Sequence, residues 1–567
     1  MLKKIALVAV ATALLAPAAA HASGWTPYNR PAQFSTVTDK DVPITMSDGI
    51  VLYSDVIRPD KPGRYPVLVE QTPYNKNLVD SGTAFGDNTY FAQRGYVVVI
   101  VDVRGTGSSE GQWNSFDDRE QRDGYEVVNW ASRQSWSDGK VGLFGPSYMG
   151  LNQILTAAQH PQGLRAIFPV VPMADGYRDI TYSGGEINTA FIPFWLGLVT
   201  GAALVPSEYA FDGNPNDFVR ATTVLASHAS GIAGFQASAL LSGATGGDLA
   251  YDGPYWKTRS PIEVVDKVNV PTFIVGGLHD LFQRGEPLLY ERLKSRVPTH
   301  LVMGPWTHVD GSTGAGLPGN GIPESLSQLE LRWFDNYLKG INTNVGSIPK
   351  VTQWAWGDQR FETQADWPDP HLSPTREYLR AGKALSPQAP TSNEAPDQFL
   401  QNPVAGVCTE STNQWTAGLG GQIPCTTDNR IDETTSGGAN YTSPPMQSDF
   451  RIDGPIMADL WLATTARGAV TTVRVTDVAP DGTSTDLTDG WLAASFRALD
   501  PTRSRYVDGQ LMQPWHPFTQ ASVLPVTAGK PMELQVEVFP TNAVIPKGHS
   551  LRIDVEGGDF PHATPPL

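Results

Sequence analysis

A serine hydroxyl is a weak nucleophile until a histidine can take its proton and a carboxylate holds that histidine in the right tautomer. Three residues of this chain have those types, each just after an apolar run. Ser147 follows "KVGLFGP", Asp280 follows "PTFIVGGLH" and His308 follows "THLVMGPWT". Their order along the chain, Ser then Asp then His, is that of an α/β-hydrolase triad. Plainer readings exist for each: a strand-to-helix turn, a helix-capping aspartate, a satisfied histidine. Two rivals fit the order less well. Asp102 also ends an apolar run but precedes the serine, and His279 shares a loop with the acid it would have to face.

The stretch "GPSYMG" departs from the general elbow G-x-S-x-G, because Met149 stands where the second glycine belongs and Gly150 follows one residue late. Acyl transfer also needs donors for the developing oxyanion. The backbone N–H of Tyr148, directly after the serine, is one candidate. The hydroxyl of Tyr74, in the loop after "YPVLVEQT", is the other.

These residues need a scaffold that brings distant loops together. Between residues 60 and 310 the chain alternates short β-branched runs, apolar on both faces, with helix-like segments such as "RDGYEVVNWASRQ". That pattern predicts an α/β fold with a buried, mostly parallel sheet, whose ligands bind beyond the carboxyl ends of the strands. The alternation breaks between Val171 and Pro261, where "FIPFWLGLVTGAALV" is apolar but interrupted by Pro193, Gly197 and Gly201. A buried helical cap over the site is expected there rather than a membrane span. From about Pro349 onward, polar turns and alternating strands such as "TTVRVTDVAPDGT" and "MELQVEVFP" predict an all-β sandwich or jelly roll.

Composition narrows the function classes. A 567-residue chain is too long for one core, and its net charge of -17 excludes a polyphosphate partner, so no nucleic acid is expected. The first residues read as a secretory leader: Lys3 and Lys4, an apolar run from Ile5 to Ala16, and a small-x-small site ending at Ala22. The chain is therefore expected to be secreted or periplasmic, without stable membrane insertion. In an oxidising space its two cysteines, Cys408 and Cys425, are expected to pair, a constraint worth about 3 kcal/mol for a loop of this size. Two cysteines alone make no zinc site, and no metal or cofactor is expected.

Taken together, "QTPYNK", "DVRGTGSSEG", "GPSYMG", "GGLHDLF" and "GPWTH" occur in the order found in the cocaine esterase and X-prolyl dipeptidyl peptidase family of serine hydrolases, which this chain resembles over nearly its whole mature length. "YDGPYWKTRSP" and "TDVAPDGT" extend the likeness into the cap and the β domain. The family's elbow carries the same late glycine. The resemblance implies Ser147 as nucleophile, Asp280 as orienting acid, His308 as base, and Tyr74 with the Tyr148 amide as oxyanion hole. It further implies a three-part fold; after the leader (1–22), the hydrolase core is expected in two parts (23–170 and 262–348), with a helical cap (171–261) and a C-terminal jelly roll (349–567). Family members usually continue beyond "GGDFPHATPPL" through at least one further jelly-roll strand, so either this β domain is closed differently or the sequence is truncated, and an open edge would threaten stability and solubility.

The expected activity is hydrolysis of a small-molecule carboxylic ester or amide through an acyl-enzyme, without a cofactor. The alternative within the family is a short peptide substrate, as in an X-Pro dipeptidyl peptidase, or a β-lactam acylase-like activity. A dipeptidyl peptidase must pair a substrate ammonium with an acid. Asp175, Asp179 and Glu186, at the start of the cap, are the candidates. A reading of another class is a secreted, non-catalytic binding protein with a lectin-like jelly roll.

Overall fold

The computed structural model describes residues 24–80, 88–205, 207–211 and 213–563. The expected leader lies outside the described residues. Ten strands form one sheet: β1 (Thr36–Thr45), β2 (Val51–Pro59), β3 (Tyr65–Thr72), β4 (Val97–Asp102), β5 (Ser137–Pro146), β6 (Leu164–Val170), β7 (Thr272–Gly277), β8 (Thr299–Gly304), β9 (Val351–Ala355) and β10 (Arg360–Gln364). Their spatial order is β1-β2-β4-β3-β5-β6-β7-β8-β9-β10. The pairs from β4–β3 through β8–β9 are parallel, and antiparallel pairs close both ends. Central position explains the sequence of β4, "VVVIVD": all six residues are buried, because helices or loops cover both faces.

The helices between strands are set by local signals. Asp117 caps the helix Asp118–Arg133 by accepting the Glu120 N–H at 2.8 Å. Ser325 and Gln328 form a reciprocal capping box at the start of Leu326–Tyr337. Between β6 and β7 the chain leaves the sheet for a helical layer that includes Phe191–Ala203 and Pro215–Gly231.

That layer is less enclosed than its apolar sequence suggests. On Phe191–Ala203, Phe191, Leu196 and Val199 are buried, whereas Phe194 and Leu198 are 48% and 50% exposed. The helix is apolar on both faces, yet only one of them packs inward. By length and composition alone, Phe191–Phe211 and Pro215–Gly243 would each suffice to cross a membrane.

Eight further strands make a predominantly antiparallel sheet in the order 378–380, 384–386, 439–442, 550–556, 470–478, 484–493, 532–545 and 450–462. This is the expected C-terminal β domain, with two differences. β9 and β10, which composition assigns to it, instead extend the core sheet, since an alternating strand pair reads alike in either sheet. The strand Ser550–Glu556, just before the tail whose closure the sequence left open, is interior, between Ala439–Thr442 and Val470–Val478. The segment 410–435 is helical and is closed by the Cys408–Cys425 disulfide across 17 positions.

Candidate active site

The serine sits at a strained turn between β5 and the helix Tyr148–Ala157. Its φ of 58° and ψ of -122° lie outside the regions ordinary residues favour, which is how an elbow thrusts a side chain out of the backbone. Gly145 precedes it at φ 115°, and a Cβ there would come within 2.8 Å of both Glu70 and Met149. Gly150 explains the late glycine. A Cβ at Gly150 would lie 2.5 Å from the carbonyl oxygen of Val170, the residue whose carbonyl also accepts the Ser147 N–H at 2.9 Å. The close approach of helix to β6 thus falls at the third residue after the serine, and Met149 turns into the core, fully buried.

Ser147, Asp280 and His308 come from β5, β7 and β8 and meet in one hydrogen-bonded chain. His308 Nε2 is 2.8 Å from Ser147 Oγ, and His308 Nδ1 is 2.7 Å from Asp280 Oδ2. Asp280 is fully buried; its other oxygen accepts the Phe282 N–H at 2.6 Å, and its backbone carbonyl accepts from Gln414 Nε2 of the β domain at 2.7 Å.

The rivals are elsewhere. His279 stacks on Trp356 and contacts the Leu487 carbonyl and Glu410. Asp102 accepts the N–H groups of Lys76 (2.6 Å) and Ser108 (2.8 Å), tying two loops together, and burial raises its pKa to about 7.

Tyr74 is buried beside the serine, and its hydroxyl hydrogen-bonds both Trp195 and Ser147. Trp195 Nε1 donates at 3.1 Å, which leaves the phenolic proton for the serine side. Burial raises the Tyr74 pKa, keeping it a donor. Tyr148 carries more than a backbone amide. Its hydroxyl donates to Glu120 (2.6 Å and 2.7 Å), accepts from Trp113 Nε1 (3.0 Å), and its ring stacks on Phe116. Burial pushes the Glu120 carboxyl up to about 8, despite the Tyr148 hydrogen bond.

Ser147 opens into a pocket with about 920 Å³ of space between its walls, open solvent at its mouth included. Tyr74, Phe116, Tyr148, Phe191, Trp195 and Trp256 give it an aromatic lining, and Arg259 is the one charged residue among those that line it. Asp175, Asp179 and Glu186 do not line it. Asp175 is paired with Arg178 and Asp179 with Arg284, each at 2.9 Å, and burial raises Glu186 well above the usual carboxylate range. Among the described residues no group of three or more His, Cys, Asp or Glu is arranged to hold a metal ion.

Sequence reasoning missed Glu120, Trp195 and Arg259. Glu120 follows the N-cap Asp117 by three residues and reads as a capping-box acid; its buried partner lies far along the chain. Trp195 looked like one more apolar residue of the cap helix.

Comparison with known proteins supports the same assignment of fold. The chain is 27% identical to a cocaine esterase of Rhodococcus sp. over 559 residues, covering 92% of this chain and 91% of that protein. Among solved structures it is similar to a CocE/NonD family hydrolase of Staphylococcus aureus (TM-score 0.68, 21% identity, 93% of this chain and 86% of that one). It is also similar to an α-amino acid ester hydrolase (TM-score 0.71, 20% identity, 95% of this chain and 92% of that one). The X-Pro dipeptidyl-peptidase (S15 family) profile matches residues 48–310, and that of the X-Pro dipeptidyl-peptidase C-terminal non-catalytic domain matches 343–567. With both profiles matched in order, the chain belongs to the S15 family and is a serine hydrolase of esterase or dipeptidyl-peptidase type.

Proposed function

We propose that the protein hydrolyses carboxylic esters through an acyl-enzyme on Ser147. One observation carries this reading: the Ser147–His308–Asp280 chain, at 2.8 Å and 2.7 Å, opens into an apolar pocket whose lining contains no carboxylate. As Ser147 Oγ attacks the substrate carbonyl carbon, His308 Nε2 takes the hydroxyl proton, and the imidazolium is steadied by the hydrogen bond from Nδ1–H to Asp280. The carbonyl oxygen becomes an oxyanion and accepts from the Tyr74 hydroxyl and the Tyr148 N–H. Collapse expels the alcohol, which receives the proton from His308. Water then attacks the acyl-serine by the same route in reverse.

The lining favours an ester over an X-Pro peptide. A peptide with a free α-amine would bring an ammonium against an apolar lining without a counter-charge, which is costly where the site is desolvated. Asp175, Asp179 and Glu186, the candidates for that charge, face other partners or lie outside the lining.

Ser147→Ala is expected to lower kcat on a 4-nitrophenyl ester by about 10⁴-fold or more while leaving the circular dichroism spectrum unchanged. Unaltered turnover by that variant overturns the assignment. X-Pro-anilide cleavage by the wild type at a kcat/KM equal to that for short esters overturns the ester preference. Export belongs to the same reading, supported by the leader-like residues 1–22 and the paired cysteines. N-terminal sequencing of protein recovered outside the cytoplasm is expected to begin near Ser23.

A further inference from the structure

The pocket is lined by a guanidinium that no carboxylate among the described residues contacts directly; Asp117 reaches it only through the Asn114 amide. Arg259 is 7% exposed and lines the cavity with Ser147. Its Nη1 donates to the Tyr255 carbonyl (3.0 Å) and its Nη2 to Asn114 Oδ1 (3.1 Å), while its plane lies 3.7 Å from the centre of the Tyr255 ring. Its Nε–H has no hydrogen-bond partner. No carboxylate among the described residues forms an ion pair with it, although the chain carries 58 acids.

The other deeply buried arginines are treated differently. Arg178 pairs with Asp175 and Asp252, Arg284 with Asp179 and Glu537, Arg332 with Glu324, and Arg474 with Asp489. Arg94 also lacks an ion pair, but its Nε donates to the Arg30 carbonyl at 2.6 Å and it does not line the pocket. A buried guanidinium with an idle donor and no counter-ion is costly to the fold. Where such a group faces a cavity, a ligand that brings the missing charge recovers that cost.

We propose that Arg259 is a specificity-determining residue that receives a carboxylate on the substrate, so that the preferred substrates are esters or amides carrying an anionic group at one end. The proposal rests on the hydrolase reading above and names its substrate class. Tyr255 and the hydrogen bond to Asn114 hold the guanidinium flat and oriented; the Nε–H is sealed from the cavity, so a carboxylate is received by the Nη groups, with charge-assisted hydrogen bonds. The apolar walls between Arg259 and Ser147 take up the chain that joins the carboxylate to the scissile carbonyl. The same cation repels an ammonium, which turns the missing counter-charge for an α-amine into active exclusion.

The carboxylate can arrive on the acyl side or on the alcohol side, and two substrate pairs separate these sources. The first compares 4-nitrophenyl hydrogen glutarate with its methyl-capped diester. The second compares 4-acetoxybenzoate with methyl 4-acetoxybenzoate. The wild type is expected to favour the acid over the neutral partner by about 10-fold or more in kcat/KM in one pair. Arg259→Met is expected to abolish that preference, and Arg259→Lys to keep part of it. Benzoate or glutarate is expected to inhibit the wild type competitively and Arg259→Met at least 10-fold more weakly. Because Arg259→Met also loses the bonds to Asn114 and Tyr255, wild-type selectivity and Arg259→Lys provide tests that do not depend on its folding. Turnover of acid and neutral partner with equal kcat/KM in both pairs overturns the inference alone, as does a preference unchanged in Arg259→Met. Failure of the wild type to turn over any of the four compounds, together with no labelling of Ser147 by a fluorophosphonate, overturns the hydrolase reading, and the inference falls with it.

Discussion

Tyr74 and Tyr148 meet edge to face beside the serine, and they serve it through different groups. Tyr74 offers a hydroxyl whose proton is aimed by the Trp195 N–H donated to the same oxygen. Tyr148 offers its backbone N–H, and its side chain is fixed by Glu120, Trp113 and Phe116 so that the amide stays in place. Tyr74→Phe keeps the ring packing and removes one donor, so kcat is expected to fall by about 10² to 10³-fold with KM nearly unchanged. Steady-state kinetics on a neutral ester check this; a fall confined to KM would move Tyr74 out of the oxyanion site. At this scale Ser147, Asp280 and His308 were legible because each follows an apolar run and the sheet puts run ends on one side. Glu120 and Arg259 were not. A helix acid and an arginine in a polar turn look solvated until the tertiary neighbours that bury them are known.

The elbow shows how an element can depend on one missing atom. Helix Tyr148–Ala157 lies so near β6 that Gly150 has no room for a side chain, and the same Val170 carbonyl is held by the Ser147 N–H. Gly150→Ala must push the helix away from the strand. It is expected to destabilise the protein by about 1–3 kcal/mol and to slow acylation of Ser147, read from the thermal midpoint and from stopped-flow labelling by a fluorophosphonate. A normal midpoint with normal labelling would mean that the helix shifts freely. The sequence displayed the displaced glycine but not its reason, which is a contact with a residue 20 positions away in sequence. The cap helix Phe191–Ala203 was read as buried because apolar periodicity counts faces without saying what covers them. Phe191 and Leu196 line the pocket, while Phe194 and Leu198 face solvent.

Across the whole molecule, the β domain acts as a buttress for Asp280, the proposed catalytic acid. Gln414 donates to the Asp280 carbonyl and to Gln283, and Gln283 in turn reaches Thr488 and the Pro540 carbonyl. Gln414→Leu leaves a buried carbonyl unpaired and frees the acid loop; kcat is expected to drop about 10-fold while KM changes little. Equal kinetics in mutant and wild type would reduce the contact to packing. Titration also acts globally. Burial raises Glu70, Glu120 and Glu330 each to about 8. The folded chain therefore holds these protons more tightly than the unfolded chain, whose glutamates titrate near about 4.3. The stability they contribute is fully present below that value, and is lost as pH rises toward 8. The thermal midpoint is expected to fall over that window, and Glu70→Gln to flatten the fall; a midpoint that rises steadily from pH 5 to 8 in both proteins would contradict it.

Near the end of the chain, the Pro561 and His562 carbonyls bind Thr189, and Ala563 bridges Asn188, just before the helix that walls the pocket. His562 itself lies stacked on Trp415. A chain still being synthesised has every triad residue long before it has this clasp. Asn188 and Thr189, just before the cap helix, therefore gain these partners only once residues 561–563 have been made.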